Sequence, residues 1–110
     1  YQPPPHLREG HWIGFCGIAN PGRFQATLNE LGCTHTFIPF RDHEPYSDRV
    51  IQSLLQERKK HEVAGWVTTE KDFYKCVELF KNYKENLHFV KMVTQIEQGF
   101  WSLLVKVVGK

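Results

Sequence analysis

Trp12-Ile13-Gly14-Phe15-Cys16, then Gly17-Ile18-Ala19-Asn20, then Pro21-Gly22-Arg23-Phe24: this stretch decides how the chain folds. The first five residues are an apolar, aromatic run of strand length that ends at Gly17. Asn20 and Pro21 supply an N-cap and the fixed φ of a first helical residue. Phe24, Leu28 and Leu31 recur at helical spacing, and Gly32 provides the stop. A strand, a tight turn and a helix open an α/β unit.

The same alternation continues along the chain. Thr34 to Phe40 is rich in β-branched and aromatic residues and reads as a second strand. After the loop Arg41-Asp42-His43-Glu44-Pro45, Ser47 caps a helix whose apolar stripe is Val50, Ile51, Leu54 and Leu55, with Tyr46 placed to staple against Ile51. The Lys59-Lys60-His61 end of that helix reads as a solvated terminus. Val63 to Thr68 is a third strand, and Thr68 or Thr69 caps a helix opened by Glu70-Lys71-Asp72, whose acids suit the positive helix end. Phe73, Cys76, Val77 and Phe80 line its core face. Leu87 to Val93, extending toward Ile96, is a fourth strand, and Phe100 to Val108 is expected to close the domain as a helix. Right-handed crossovers between such strands give an α/β fold: a three-layer α/β/α sandwich around a mostly parallel sheet of about four strands. Residues 1–10, with Pro3, Pro4 and Pro5, read as a polyproline-like connection, and residues 11–110 as the domain.

Composition narrows the function. A chain of 110 residues with 41% hydrophobic and 24% charged side chains supports one modest core. No apolar run is long enough to span a bilayer, and no secretory leader is evident. A net charge of +2 with dispersed basic residues gives no footprint for nucleic acid. Cys16, Cys33 and Cys76 are odd in number and irregular in spacing, which argues against a disulfide framework and for a reducing, cytoplasmic compartment.

In a parallel sheet, ligands gather beyond the carboxyl ends of the strands. Three loops lie there: Gly17 to Asn20, Phe40 to His43, and Thr68 to Asp72. The first has the glycine spacing of a phosphate-binding P-loop, but Arg23 and Phe24 stand where Lys and a hydroxyl are needed, and Pro21 removes a backbone N–H. It reads as a tight turn. His43 beside Asp42 is the acid–base candidate, since imidazole titrates near neutrality and can share a proton with a carboxylate. Cys33, His35 and His43 lack a fourth ligand at convincing spacing, so no metal site is assigned. Thr69, Lys71 and Asp72 place a hydroxyl, a cation and a helix amino terminus at a strand end, where a nucleotide or phosphate can be received; capping alone also explains the Thr and the acids.

Taken together and in order, Gly17-Ile18-Ala19-Asn20-Pro21-Gly22-Arg23-Phe24, Phe40-Arg41-Asp42-His43 and Thr68-Thr69-Glu70-Lys71-Asp72 resemble the C-terminal domain of the tetraacyldisaccharide 4′-kinases over about residues 10 to 105. The resemblance implies an ATP- and Mg²⁺-dependent phosphotransferase that acts on the 4′-hydroxyl of a lipid A precursor, a tetraacyldisaccharide 1-phosphate, at the cytoplasmic face of the inner membrane of Gram-negative bacteria. It implies that this part closes over an N-terminal P-loop domain, which carries the phosphate cradle and most of the nucleotide and Mg²⁺ contacts. His43 matches the histidine that assists a catalytic aspartate of that domain; Asp42 sits in the same motif, and Thr69, Lys71 and Asp72 fall in the family's other well-marked loop, so these four are the residues expected to contact nucleotide. Arg41 departs from the proline often found in that loop.

No Walker A sequence occurs among these residues, so on this resemblance the chain is expected to be an inactive, soluble fragment of an active enzyme, touching the membrane only through its parent. The alternative is a stand-alone α/β binding or interaction module that shares the scaffold without the reaction. A small hydrolase built on Asp42 and His43 would lack both nucleophile and oxyanion partner.

Overall fold

The computed structural model describes residues 5–60, 62–97 and 100–108. Strand β1 (His11–Cys16) leads to helix α1 (Pro21–Glu30) and strand β2 (His35–Pro39). Helix α2 (Asp48–Gln56) runs through a 3₁₀ turn (Glu57–Lys59) to strand β3 (Val63–Thr69), helix α3 (Glu70–Asn82) and strands β4 (Leu87–Glu97) and β5 (Phe100–Val108). The strands form one sheet in the order β2-β1-β3-β4-β5. The first four are parallel, and β5 is antiparallel to β4. The expected α/β fold with a mostly parallel sheet is present.

Alternation along the strands sends side chains to two cores. Ile13 and Phe15 of β1, Trp66 of β3, and Leu87 and Phe89 of β4 pack with Ile51 and Leu54 of α2 and Phe73, Cys76 and Phe80 of α3. Trp12 and Cys16 of β1, Val67 of β3 and Val90 of β4 pack on the opposite face with Phe24 and Leu28 of α1. Fully burying a side chain of this size contributes roughly 1.5–3 kcal/mol, so both faces of the sheet are anchored. β1 lies between β2 and β3, and the helices that follow β1 and β3, α1 and α3, pack on opposite faces of the sheet. The carboxyl ends of β1 and β3 therefore flank the switch point of the sheet, where such folds bind ligands.

The local signals act largely as expected. Pro21 opens α1, and Gly32 at φ +75° follows its end. Ser47 accepts from the Val50 amide and Thr69 from the Asp72 amide, each capping its helix. Asn20 precedes α1 but makes no side-chain capping bond; its carbonyl receives the Arg23 amide instead. Within the lead-in, Pro5–Arg8 is a 3₁₀ turn rather than polyproline backbone, and Leu7 is buried in the α1-side core. His61 lies outside the described residues.

One expectation is overturned. Phe100–Val108 is a strand, not a helix, and pairs with β4 from Phe89↔Val108 to Glu97↔Phe100. Its aromatic and β-branched content suits a pleated surface better than a helical turn. Among the described residues, β4 meets β3 from Leu87 to Val90 and Lys91–Glu97 is paired with β5 alone, as a two-stranded ribbon continuing past the carboxyl end of β3.

Candidate functional site at the carboxyl edge

Gly17, directly after β1, is where the three loops meet. Its amide donates to Asp72 Oδ2 at 3.0 Å. Its carbonyl accepts the His43 amide at 3.0 Å, and the preceding Cys16 carbonyl accepts the Phe40 amide at 2.7 Å. A Cβ at position 17 would lie 2.9 Å from the Arg41 carbonyl oxygen, 3.0 Å from Glu44 Cβ and 3.2 Å from the Tyr46 hydroxyl. Only glycine admits so close an approach of the second loop.

That second loop is fastened by aromatic rings. Phe15, Phe40 and Tyr46 meet edge to face, with centroids 5.7–6.3 Å apart. Tyr46 is buried, as its stapling role required, but it also does something the sequence did not announce: its hydroxyl faces the Gly17–Asp72 junction. Burial first, and then the Asp72 carboxylate, push the phenol's pKa upward, so it stays protonated. At the rim the loop turns through His43 at φ +61°, in the left-handed region. The His43 side chain is 70% exposed, and its Nε2 lies 3.7 Å from Asp42 Oδ2, itself 44% exposed. That separation is an ion-pair approach rather than a hydrogen bond. Arg41 reaches Glu44 at 3.5 Å.

The third loop divides its residues between interior and surface. Thr69 is buried, and its hydroxyl donates to Asp72 Oδ2 at 2.6 Å while accepting the Asp72 amide at 3.2 Å. Asp72 has no exposed surface. Lys71, between them, is exposed and makes no ion pair among the described residues. Thr68, the other capping candidate, donates to the Phe15 carbonyl at 2.7 Å and ties β3 to β1.

The structure thus brings His43, Asp42, Thr69, Lys71 and Asp72 to one edge. It leaves Asp42, His43 and Lys71 on the surface and turns Thr69 and Asp72 inward. The inward turn of Asp72 was the residue-level feature missed from sequence. Its signal was the short side chain at the third helical position, where Glu would reach back to the cap residue's own amide.

Other chemistry is disfavoured on this edge. Burial, then the Asp72 charge, raises the Cys16 thiol to about 11 and the Cys76 thiol to about 12; burial alone raises Cys33 to about 11. None supplies a thiolate nucleophile near neutral pH. The set Cys33, His35 and His43 is not assembled: His35 opens β2, and His43 lies beyond its far end. At the opposite edge of the sheet, a cavity of about 510 Å³ is lined by His6, Glu9, Gly10, Trp12, Ala64, Asn86 and His88.

The family described as Tetraacyldisaccharide-1-P 4'-kinase matches the chain over residues 2–109. The tetraacyldisaccharide 4'-kinase of Desulfotalea psychrophila is 34% identical over 95 residues, which cover 86% of this chain and 27% of the relative. Proteins of the same name are 41% identical over 66 residues in Caulobacter vibrioides and 45% identical over 69 in Chlorobium limicola; each match covers 59% of this chain and 19% of the relative. The matched segments span about a fifth to a quarter of these relatives. No solved structure matches. With its three motif loops gathered at one sheet edge and nearly its whole length matched, the chain belongs to the tetraacyldisaccharide-1-phosphate 4'-kinase family.

Proposed function

We propose that the chain is the C-terminal, nucleotide-closing part of a kinase that transfers the γ-phosphoryl group of ATP to the 4′-hydroxyl of a tetraacyldisaccharide 1-phosphate in lipid A biosynthesis. On this reading the enzyme works at the cytoplasmic face of the inner membrane, and the P-loop is supplied by the remainder of the protein. Family membership supports the reaction class. A P-loop phosphate cradle does not fit the Gly17 turn, because Arg23 and Phe24 occupy the positions of the usual Lys and hydroxyl. The chain's own part in the chemistry is then its exposed rim.

The observation that carries this reading is the state of His43. Its backbone is tethered to the Gly17 carbonyl while its imidazole stands in solvent beside Asp42. A fixed backbone with a free imidazole suits a group that meets its reaction partner across a domain boundary. We assign His43 to orienting, and sharing the proton of, an aspartate base carried by the rest of the protein. Asp42 and Lys71 are the surface groups available to a nucleotide, and Thr69 and Asp72 support them from within.

The test is steady-state kinetics of the complete kinase carrying His43→Ala. The expected result is a kcat lower by roughly 10²–10⁴-fold, the usual contribution of a positioned acid–base group, with the KM for ATP changed only a few-fold. An unchanged kcat would overturn the assignment.

A further inference from the structure

We infer that Asp72 is a positioning residue which sets the His43 loop through the Cys16–Gly17 peptide; its functional weight rests on the reading of His43 above. The N–H and C=O of that peptide point in opposite directions. The N–H, belonging to Gly17, is held by Asp72 Oδ2, and the C=O, belonging to Cys16, holds the Phe40 amide. The next carbonyl, that of Gly17, holds the His43 amide. One carboxylate oxygen therefore fixes the peptide plane from which Phe40 is hung, immediately before the carbonyl that holds His43.

Capping α3 does not account for this arrangement. Thr69 already accepts the Asp72 amide, and an acid favouring the helix dipole does so equally well in solvent. Asp72 instead sits at zero exposure, where a carboxylate is costly unless hydrogen-bonded. Its Oδ2 takes the Gly17 amide and the Thr69 hydroxyl, two donors separated by 55 and 3 residues in sequence from the acid. Burial and the Asp72 charge hold the Tyr46 hydroxyl and the Cys16 and Cys76 thiols around it protonated. The Thr69-Glu70-Lys71-Asp72 segment thus has an inward half that builds the site and an exposed Lys71 that is left for an anion.

The test combines amide hydrogen exchange on the full 110-residue chain with kinetics of the complete kinase. Asp72→Asn preserves shape but replaces the charged acceptor with a neutral amide oxygen, which weakens both bonds. The Phe40 and His43 amides should then exchange at least tenfold faster, while those of Ile13 and Trp66 within the sheet stay unchanged. In the kinase, kcat should fall about tenfold or more at constant KM for ATP. Thr69→Val, which removes one donor, should show a smaller effect in the same direction, and Thr69→Ser should restore wild-type exchange and turnover. If Asp72→Asn does not fold, the Thr69→Val and Thr69→Ser pair decides the matter alone. Unchanged His43 exchange in the variant that folds, or failure of Thr69→Ser to rescue, overturns the inference. If exchange responds as expected while His43→Ala leaves kcat intact, the hold of Asp72 on the loop stands and the assignment of His43 falls.

Discussion

Phe15 of β1 and Phe80 of α3 lie face to face, their centroids 5.8 Å apart and their planes within 3° of parallel. Phe80 also meets Trp66 of β3, and Phe15 meets Phe40 and Tyr46 of the His43 loop. The stack connects the centre of the sheet to the wall of the candidate site. Deformation in the core is therefore felt at the rim.

Phe80→Ala is expected to destabilise the chain by about 3–5 kcal/mol, the range for removing a fully buried ring. Urea unfolding followed by tryptophan fluorescence measures it. A loss below about 1 kcal/mol would mean that α3 collapses onto Trp66 and refills the space.

Gly17→Ala adds only one methyl group, yet that methyl meets the Arg41 carbonyl and Glu44 Cβ at 3.0 Å or less. The second loop has to move outward, at a cost of roughly 1–3 kcal/mol for overpacking. Amide shifts should change across residues 40–46 and stay fixed in α2. Wild-type shifts with wild-type stability would show that the contact is slack.

The opposite edge of the sheet predicts a pH dependence. His88 is buried against Trp12 and His6, with Glu9 and Asn86 on the same cavity wall. Burial, then the neighbouring His6, lowers its pKa below the ordinary 6.5. As pH falls below 6.5 the unfolded chain takes up the proton first, so stability declines until the folded-state pKa is reached, by no more than about 1.4 kcal/mol per pH unit. Thermal melts from pH 8 to pH 5 should fall less steeply for His88→Gln than for the wild type. Parallel curves would assign the decline to other groups.

Nucleotide binding by the 110-residue chain should be millimolar or weaker. Each charge-assisted hydrogen bond that a phosphate cradle provides contributes roughly 1.5–3 kcal/mol, and losing two or more moves a micromolar site by several decades. Titration with ATP and Mg²⁺ followed by amide shifts reads the affinity directly. Micromolar binding would contradict the proposal that the phosphates are held elsewhere in the protein.

What sequence revealed and what it hid follow from the range of the interactions. Ser47, Thr69 and Gly32 act on backbone groups within a few residues, so composition and spacing were enough to place them. β5 was misread because its identity depends on pairing with β4, and a short apolar run is ambiguous until a partner strand is known. The three loops could be ordered along the chain, and the sheet rule placed them at one edge. Their junction at Gly17 was invisible, because the bond from Asp72 crosses 55 residues and no local pattern encodes it.

The left-handed backbone at His43 sets two selective pressures against each other. At φ +61° a glycine is more comfortable than any residue with a Cβ, by up to about 1 kcal/mol. A directed-evolution campaign scored only on thermal endurance would drift toward that replacement and discard the proposed proton-handling group. Libraries of this domain need a turnover screen at that one position, whatever selection is applied to the rest.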